Sequence, residues 1–280
     1  MRSTPTVNPD RFAVGALGAA VVFSVLYVFF VRTHEGQMID QLSYDGADYS
    51  WRTVTPYTRR LLDALPAISG VAGLILTVVI ALTRRSPVTM VIALGAAGAA
   101  VATTQILKYG ILSRPFLGVE GYADNSFPSG HTTVAAASAL AVFLVSPPRA
   151  RPAVAAWGTA FTVLAGVSTL ANQWHRPSDV IAALLVVAFW GCIAGAVLAA
   201  VRAPGSIRAT APRTSPGRRR WWLVVPFLLV TGIAFIFTFM GTRDGSSSST
   251  LIAYIGGAAA IIASGFVLAL VATRVFARLP

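Results

Sequence analysis

Long apolar runs dominate the chain, and short polar segments separate them. A bilayer core about 30 Å thick is crossed by roughly 20 apolar residues of helix, and eight runs meet or approach that length. None shows the period-two alternation of a half-buried strand, so the pattern predicts helices. The fourth run is the shortest. The predicted spans are Phe12–Val31, Leu65–Thr83, Pro87–Leu107, Thr132–Ser146, Ala153–Ala171, Ser178–Val201, Trp221–Met240 and Leu251–Phe276.

We therefore predict an all-α integral membrane protein with about eight spans. The first span is long and no small-residue cleavage site follows it, so we interpret it as a span and not as a signal peptide. Residues 1–201 form a predicted six-span core, residues 202–220 a basic cytoplasmic linker, and residues 221–280 two additional spans. The last two spans carry no motif, so packing against the core, homo-oligomer formation and a lipid-facing role are all compatible with them.

Composition and charge distribution support this interpretation. Of the 280 residues, 55% are hydrophobic and only 11% are charged, against about 25% charged residues in soluble domains. The net charge of +12 would suit a nucleic-acid binder, but 14 of the 22 basic residues and one of the ten acids lie on the side of the two termini. Short basic loops stay in the cytoplasm. We therefore predict a multi-pass plasma-membrane protein with cytoplasmic termini and no nucleic-acid partner.

The opposite, extracytoplasmic side collects polar residues at the ends of apolar helices. Lys108 ends the third span and Arg114 follows it, His131 precedes the fourth span, and His175 and Asp179 lie at the start of the sixth. Two spans separate the histidines, which places both on one side. Any one of these residues alone would be interpreted as an interfacial anchor, but together they predict a functional site.

The chemistry that these residues favour is phosphate binding and transfer. Ser129 and Gly130 precede a helix start, where free N–H groups and the helix dipole favour an anion. Lys108 and Arg114 supply positive charge and donors for phosphoryl oxygens.

The two histidines suit covalent phosphoryl transfer. Asp179 follows His175 by four residues, with Pro177 suited to the first helical turn between them, so the carboxylate can fold back and fix the tautomer of the imidazole. One histidine can then act as nucleophile and the other as general acid.

These motifs resemble the phosphatidic acid phosphatase type 2 superfamily, which comprises membrane lipid phosphate phosphatases. That family has the pattern K-x6-R-P, then P-S-G-H, then S-R-x5-H-x3-D. Lys108 and Arg114-Pro115 are similar to the first motif with one intervening residue fewer, Pro128-Ser129-Gly130-His131 matches the second, and Ser168, His175 and Asp179 match the third. The third-motif arginine is replaced by Thr169. The arginine-rich, alanine-rich composition is typical of a bacterial source.

The resemblance implies a role for each matching residue. His175 would attack phosphorus and form a phosphohistidine, Asp179 would orient it, and His131 would protonate the leaving oxygen. A further set would hold the phosphoryl oxygens, and no metal or other cofactor is implied. This phosphate-binding set is Lys108, Arg114, Ser129 and Gly130.

Several alternatives stay open at this point. The substrate is expected to be a lipid phosphate: polyprenyl diphosphate (such as undecaprenyl diphosphate) first, with phosphatidic acid and phosphatidylglycerophosphate also consistent. A noncatalytic or transporter-like member of the same fold is the main alternative, and a metal site built from the histidines and Asp179 is a minor one. The aromatic residues of the loop between Arg32 and Asp63 suit an interfacial belt better than a substrate lid. The arginines that could replace the missing third-motif donor are Arg176, Arg52, Arg59 and Arg60.

Overall fold

The computed structural model describes residues 10–48, 56–121, 125–201, 222–243, 250–277 and 279, with no side chains described at 56–62, 66 and 243. The described chain is helical and contains no strand, which confirms the predicted all-α fold. Two helices end in a wider π-helical turn, at Tyr27–Val31 and at Leu107–Ile111. The helices are α1 (Asp10–Leu26), α2 (His34–Asp45), α3 (Pro56–Thr83), α4 (Pro87–Ile106), α5 (Gly130–Val145), α6 (Arg151–Ala171), α7 (Pro177–Val201), α8 (Val225–Arg243) and α9 (Thr250–Val275).

Eight of these helices correspond to the predicted spans. Within the described residues, seven are long and apolar enough to cross a membrane, and α5, with 16 residues, is the shorter eighth. At 1.5 Å per residue α5 is about 24 Å long. It packs against α3, α4, α6 and α7, so this short helix is the centre of the bundle. The predicted linker 202–220 lies outside the described residues.

Small residues allow the helices to approach closely, while large apolar side chains cover their outer faces. A Cβ at Gly195 of α7 would come within 2.3 Å of the Phe12 ring of α1, and one at Gly257 of α9 within 2.5 Å of Pro177. On the outside, Val14 and Leu17 of α1 are more than half exposed. An apolar outer surface around an interior of small residues is the arrangement expected in lipid.

Helix α2 is the element that the hydrophobic pattern does not predict. It begins after Thr33, whose hydroxyl accepts a hydrogen bond from the Gly36 amide, as an N-cap side chain does. Its buried residues are mainly polar and include Gln37, Asp40 and Gln41. The helix packs against α7, α8 and α9, so the segment after the first span is a folded part of the bundle.

The two C-terminal helices pack on the core. Helix α9 contacts α2, α6, α7 and α8, and the Ser43 hydroxyl of α2 donates a hydrogen bond to the Ala253 carbonyl of α9. The Arg151 guanidinium at the start of α6 donates to the Leu279 carbonyl at 2.6 Å. Packing against the core is therefore one role of these spans, and α8 also presents exposed apolar side chains such as Leu229 and Phe237.

Candidate functional site

Three segments bring the sequence-predicted residues together at one end of the bundle. The turn after α4 and the following loop carry Lys108 and Arg114, and the start of α5 carries His131. The loop from α6 into α7 carries His175, with Asp179 in the first turn of α7. The Ser129 amide donates to the Asp179 carbonyl at 2.9 Å, so the starts of α5 and α7 are joined directly through their backbones.

The Asp179 carboxylate is the centre of this cluster. It is fully buried and accepts hydrogen bonds on both oxygens. Oδ1 accepts from Arg114 Nη2 at 2.8 Å, and Oδ2 accepts from the Ser126 hydroxyl at 2.6 Å and the Arg176 amide at 3.0 Å. A buried charge is tolerated only when such partners compensate for its lost hydration. The position and charge of Asp179 are therefore tightly fixed.

His175 is oriented by this carboxylate. Its Nδ1 lies 3.4 Å from Asp179 Oδ2, and its side chain is 5% exposed. When Nδ1 carries the proton and donates it to the carboxylate, Nε2 keeps its lone pair. In that tautomer the carboxylate holds the ring from one side and leaves Nε2 available on the other, and the contact is the one that the i, i+4 spacing predicts.

His131 faces the same space from the first turn of α5. Its ring centroid lies 5.8 Å from that of His175 and 5.3 Å from that of Trp174. The side chain is half-buried. Two imidazoles this close can act on one phosphoryl group, one at phosphorus and the other at an oxygen bound to it.

Ser129 and Gly130 form the start of α5. The Ser129 hydroxyl accepts from the Thr132 amide at 3.3 Å and donates to the Thr132 hydroxyl at 3.1 Å, so it serves as an N-cap. A Cβ at Gly130 would meet only Gln105 Nε2, at 3.6 Å. Packing does not demand glycine there, and its absence of a side chain keeps the backbone N–H groups of the helix start accessible to an anion.

Lys108 and Arg114 lie in different surroundings. Lys108 is half-buried in the π-helical turn, with its ammonium 5.5 Å from the Tyr109 ring centroid. The chain leaves the helix at Leu112, so the missing residue of the first motif is absorbed in a loop and does not rotate Arg114 around a helix. Arg114 is buried and bonds Asp179 and the Ser126 hydroxyl. Its proposed contact with phosphate stays a prediction.

Thr169 is buried within α6. Its hydroxyl donates to the Gly166 carbonyl at 2.8 Å, and its own carbonyl accepts from the Trp174 and His175 amides. Its side chain lines a small cavity together with Ser168, His131 and Trp174. The residue in place of the family arginine therefore shapes the loop that carries His175.

Arg176 does not replace that arginine as a phosphate donor at the surface of the site, because its side chain is buried and bonded to other groups. It is 4% exposed, its guanidinium donates to Gln41 Oε1 at 2.6 and 3.0 Å and to the Gly121 carbonyl at 3.1 Å, and it lies 4.9 Å from the Tyr44 ring centroid. Arg52 and the side chains of Arg59 and Arg60 lie outside the described residues.

Sequence reasoning does not place four residues in the site that contribute to it. Ser126 bridges Arg114 and Asp179, while Asp40, Gln41 and Tyr44 hold the loop around Arg176 from α2. The half-buried Tyr44 also donates its hydroxyl proton to the Gln173 carbonyl, while Tyr49 and Trp51 of the predicted interfacial belt lie outside the described residues. The signal that could have revealed α2 is the i, i+3, i+4, i+7 spacing of Gln37 and these three α2 residues.

The described residues contain no group of three or more His, Cys, Asp or Glu side chains that could hold a metal ion. Metal independence of the reaction stays a prediction, because a clustering of side chains does not measure turnover.

Comparison with known protein families gives one match. A family model described as the PAP2 superfamily matches residues 89–203. Over these residues the chain is similar to the PAP2 superfamily. The PAP2 segment runs from α4 to the end of α7 and contains Lys108, His131, His175 and Asp179. It therefore covers every sequence-predicted site residue, but not α2. No curated protein and no solved structure matches the chain.

The match to the PAP2 superfamily points to a phosphatase of the lipid phosphate type. The apolar helices make the chain a membrane protein. A shared fold does not by itself fix the reaction, so the substrate and the role of each residue depend on the arrangement described above.

Proposed function

We propose that this protein hydrolyses the phosphate monoester or diphosphate of a membrane lipid through a phosphohistidine intermediate. The observation that carries the proposal is the pairing of His175 Nδ1 with the buried Asp179 carboxylate, while the His131 ring faces His175 at 5.8 Å. An oriented nucleophile with a second histidine opposite is the minimum for covalent phosphoryl transfer with acid assistance.

The reaction has two steps. His175 Nε2 attacks phosphorus, the bond from phosphorus to the lipid oxygen breaks, and His131 gives its proton to that oxygen. Asp179 stabilises the imidazolium that develops on His175. Water then attacks the phosphohistidine, His131 takes a proton from it, and the N–P bond breaks to release phosphate and restore His175.

Binding of the phosphoryl oxygens is assigned to Lys108, Arg114, Ser129 and Gly130. The accessible helix start at Gly130 and the half-buried Lys108 ammonium support the assignment most directly. Preorganised N–H groups and cations stabilise the charge of a transferring phosphoryl group. Arg114 would contribute through its position beside Asp179.

The substrate is an amphiphile whose phosphate lies at the membrane interface, because the site opens at helix ends of an apolar bundle. We favour polyprenyl diphosphate, with phosphatidic acid and phosphatidylglycerophosphate as further candidates. The charge asymmetry of the loops supports cytoplasmic termini and an extracytoplasmic site in the plasma membrane.

The test is phosphate release by purified protein from a panel of polyprenyl diphosphate, phosphatidic acid, phosphatidylglycerophosphate and sphingoid phosphate. We expect turnover of at least one lipid, no turnover by His175→Ala, and little effect of EDTA. Turnover retained by His175→Ala would exclude the nucleophile assignment. EDTA-sensitive activity that zinc restores would indicate a metal-assisted reaction.

A second candidate is a noncatalytic member that binds lipid phosphate or transports it. Thr169 in place of the family arginine favours this candidate, since a bidentate phosphate donor is lost. Binding of the panel lipids to vesicle-reconstituted protein without phosphate release would support it over hydrolysis.

A further inference from the structure

Helix α2 contacts the third motif through side chains that the PAP2 segment does not contain. It lies at His34–Asp45, more than 40 residues before the matched range 89–203 begins. Its buried face is polar, although buried helix faces are usually apolar. Buried polar groups carry a desolvation cost that only specific partners offset, so the partners of these side chains indicate what the face does.

Asp40 contacts the first turn of α7. Its carboxylate accepts from the Ser178 amide at 3.2 Å and from the Ser178 hydroxyl at 2.6 Å, and the residue is 1% exposed. Helices usually satisfy their first amides with a side chain at the N-cap. Here the acceptor comes from another helix, so Asp40 fixes the start of α7 relative to α2.

The residue next to Ser178 is Asp179, whose carboxylate orients His175. Gln41 fixes the other side of the same turn, because its Oε1 accepts two hydrogen bonds from Arg176, and the Arg176 amide in turn donates to Asp179. Two of the three residues that directly precede Asp179, Arg176 and Ser178, are therefore held by neighbouring side chains of α2.

We propose that Asp40 is a positioning residue for the His175–Asp179 pair, acting from α2 through Ser178. The proposal deepens the proposed function and rests on it for its kinetic part. Asp40 does not touch the phosphate in this scheme. It fixes the direction from which the Asp179 carboxylate approaches Nδ1 of His175. This contact favours the tautomer with a proton on Nδ1, in which Nε2 is able to attack.

The charges around Asp40 agree with this role. Burial, together with the nearby Asp179 charge, raises the pKa of the Asp40 carboxyl to about 6, while Ser178, Arg114 and Arg176 oppose the shift. These facing groups come from α7 and from the two loops of the site. Burying a carboxylate costs desolvation free energy, so its presence in α2 favours a specific positioning role over simple packing.

The kinetic test compares Asp40→Asn with Glu35→Gln. The two changes remove one charge each from the same helix, but Glu35 is exposed. We expect Asp40→Asn to lower kcat about 10- to 100-fold, the range for residues that orient a reactive group through another, with KM within about twofold of wild type. Glu35→Gln should leave both constants unchanged. Ser178→Ala, which keeps the backbone donor, should lower kcat by roughly threefold.

A double-mutant cycle tests whether Asp40 acts through Asp179. In an Asp179→Asn background, Asp40→Asn should lower the residual kcat by less than about threefold, because the orientation it supports is already lost. A full, independent loss in that background would overturn the proposal. A raised KM with unchanged kcat would do the same, since it would indicate a contact with substrate.

Histidine NMR provides a readout that does not require turnover. The chain has three histidines, so 15N-histidine labelling in nanodiscs gives few resonances, and the tautomer of His175 is read from its ring nitrogens. We expect one tautomer with Nδ1 protonated in wild type and Glu35→Gln, and a mixture in Asp40→Asn. An unchanged tautomer would overturn the positioning role. An inactive wild type that still shows the tautomer change would instead overturn the proposed function alone.

Discussion

The candidate site has two halves that the fold treats differently. In one, His175, Asp179, Arg114 and Ser126 are linked by hydrogen bonds, and the ion pair between Arg114 and Asp179 is at most 1% exposed. In the other, Lys108 and His131 are half-buried. The polar atoms of the first half form hydrogen bonds with one another. The side chains of the second half stay partly exposed.

In the proposed mechanism, the buried half positions the nucleophile and the half-buried half binds the substrate and exchanges protons with it. A buried network holds a charge and a ring in one arrangement, because the low dielectric makes each lost partner costly. A partly hydrated pair can follow an incoming phosphate and exchange protons with it. Substitutions in the first half should therefore damage both stability and turnover, and those in the second turnover alone.

The largest expected effect distinguishes the two histidines. His175→Asn should lower turnover by at least about 10³-fold with every substrate, because no other group forms the N–P bond. His131→Asn should lower turnover of a lipid phosphate about 10²- to 10⁴-fold, but far less with p-nitrophenyl phosphate, whose leaving group needs no proton. Phosphate-release assays with both substrates measure this. Equal losses on both substrates would remove the distinction between the halves.

The next effect concerns the buried ion pair. Asp179→Asn leaves the Arg114 guanidinium buried beside a neutral group, which destabilises a protein by about 3–5 kcal/mol. We expect a lower thermal midpoint in detergent together with a loss of turnover. Asp45→Asn, a matched change at a partly exposed carboxylate of α2, is the control. An unchanged midpoint in Asp179→Asn would contradict a stabilising network.

A smaller effect compares the two first-motif cations. Lys108→Ala should lower kcat/KM by roughly 10- to 100-fold, as one charge-assisted contact is worth about 1.5–3 kcal/mol, with the thermal midpoint unchanged. Arg114→Ala should lower the midpoint as well, since Asp179 loses its counter-charge. Kinetics and melting curves on the same preparations decide between these outcomes. A destabilised Lys108→Ala would show that both cations belong to one network.

The smallest expected effect is a pH dependence of stability. The pKa of Asp40 is raised to about 6, so between about pH 4 and pH 6 the folded chain holds a proton that the unfolded chain releases. The stability contributed by Asp40 protonation is present below pH 4 and is lost as pH rises through 6, by up to about 3 kcal/mol. The thermal midpoint of wild type minus that of Asp40→Asn should fall as pH rises across this window. A flat difference would contradict the assigned shift.

The apolar pattern predicts most of the bundle because spans in lipid are governed by length and hydropathy. Leu251–Phe276, for example, is observed as α9 at Thr250–Val275. The motif spacing likewise predicts that His131, His175 and Asp179 meet, since an even number of spans returns the chain to one side. These predictions succeed where a single physical quantity decides the outcome.

The pattern fails at α2 for an equally specific reason. A search for apolar periodicity does not detect a helix whose buried face is Gln37, Asp40, Gln41 and Tyr44. The partners of these side chains lie up to 138 positions away in sequence, so only the folded chain reveals them. The same holds for Arg114, whose sequence position suggests phosphate contact but whose side chain also pairs with Asp179.

The location of α2 outside residues 89–203 has a consequence for protein engineering. A chimera that transfers the PAP2 segment into another membrane scaffold would carry Lys108, both histidines and Asp179. It would leave behind the side chains that hold Arg176 and Ser178. We therefore expect a working graft to be longer than the matched segment and to begin before α2.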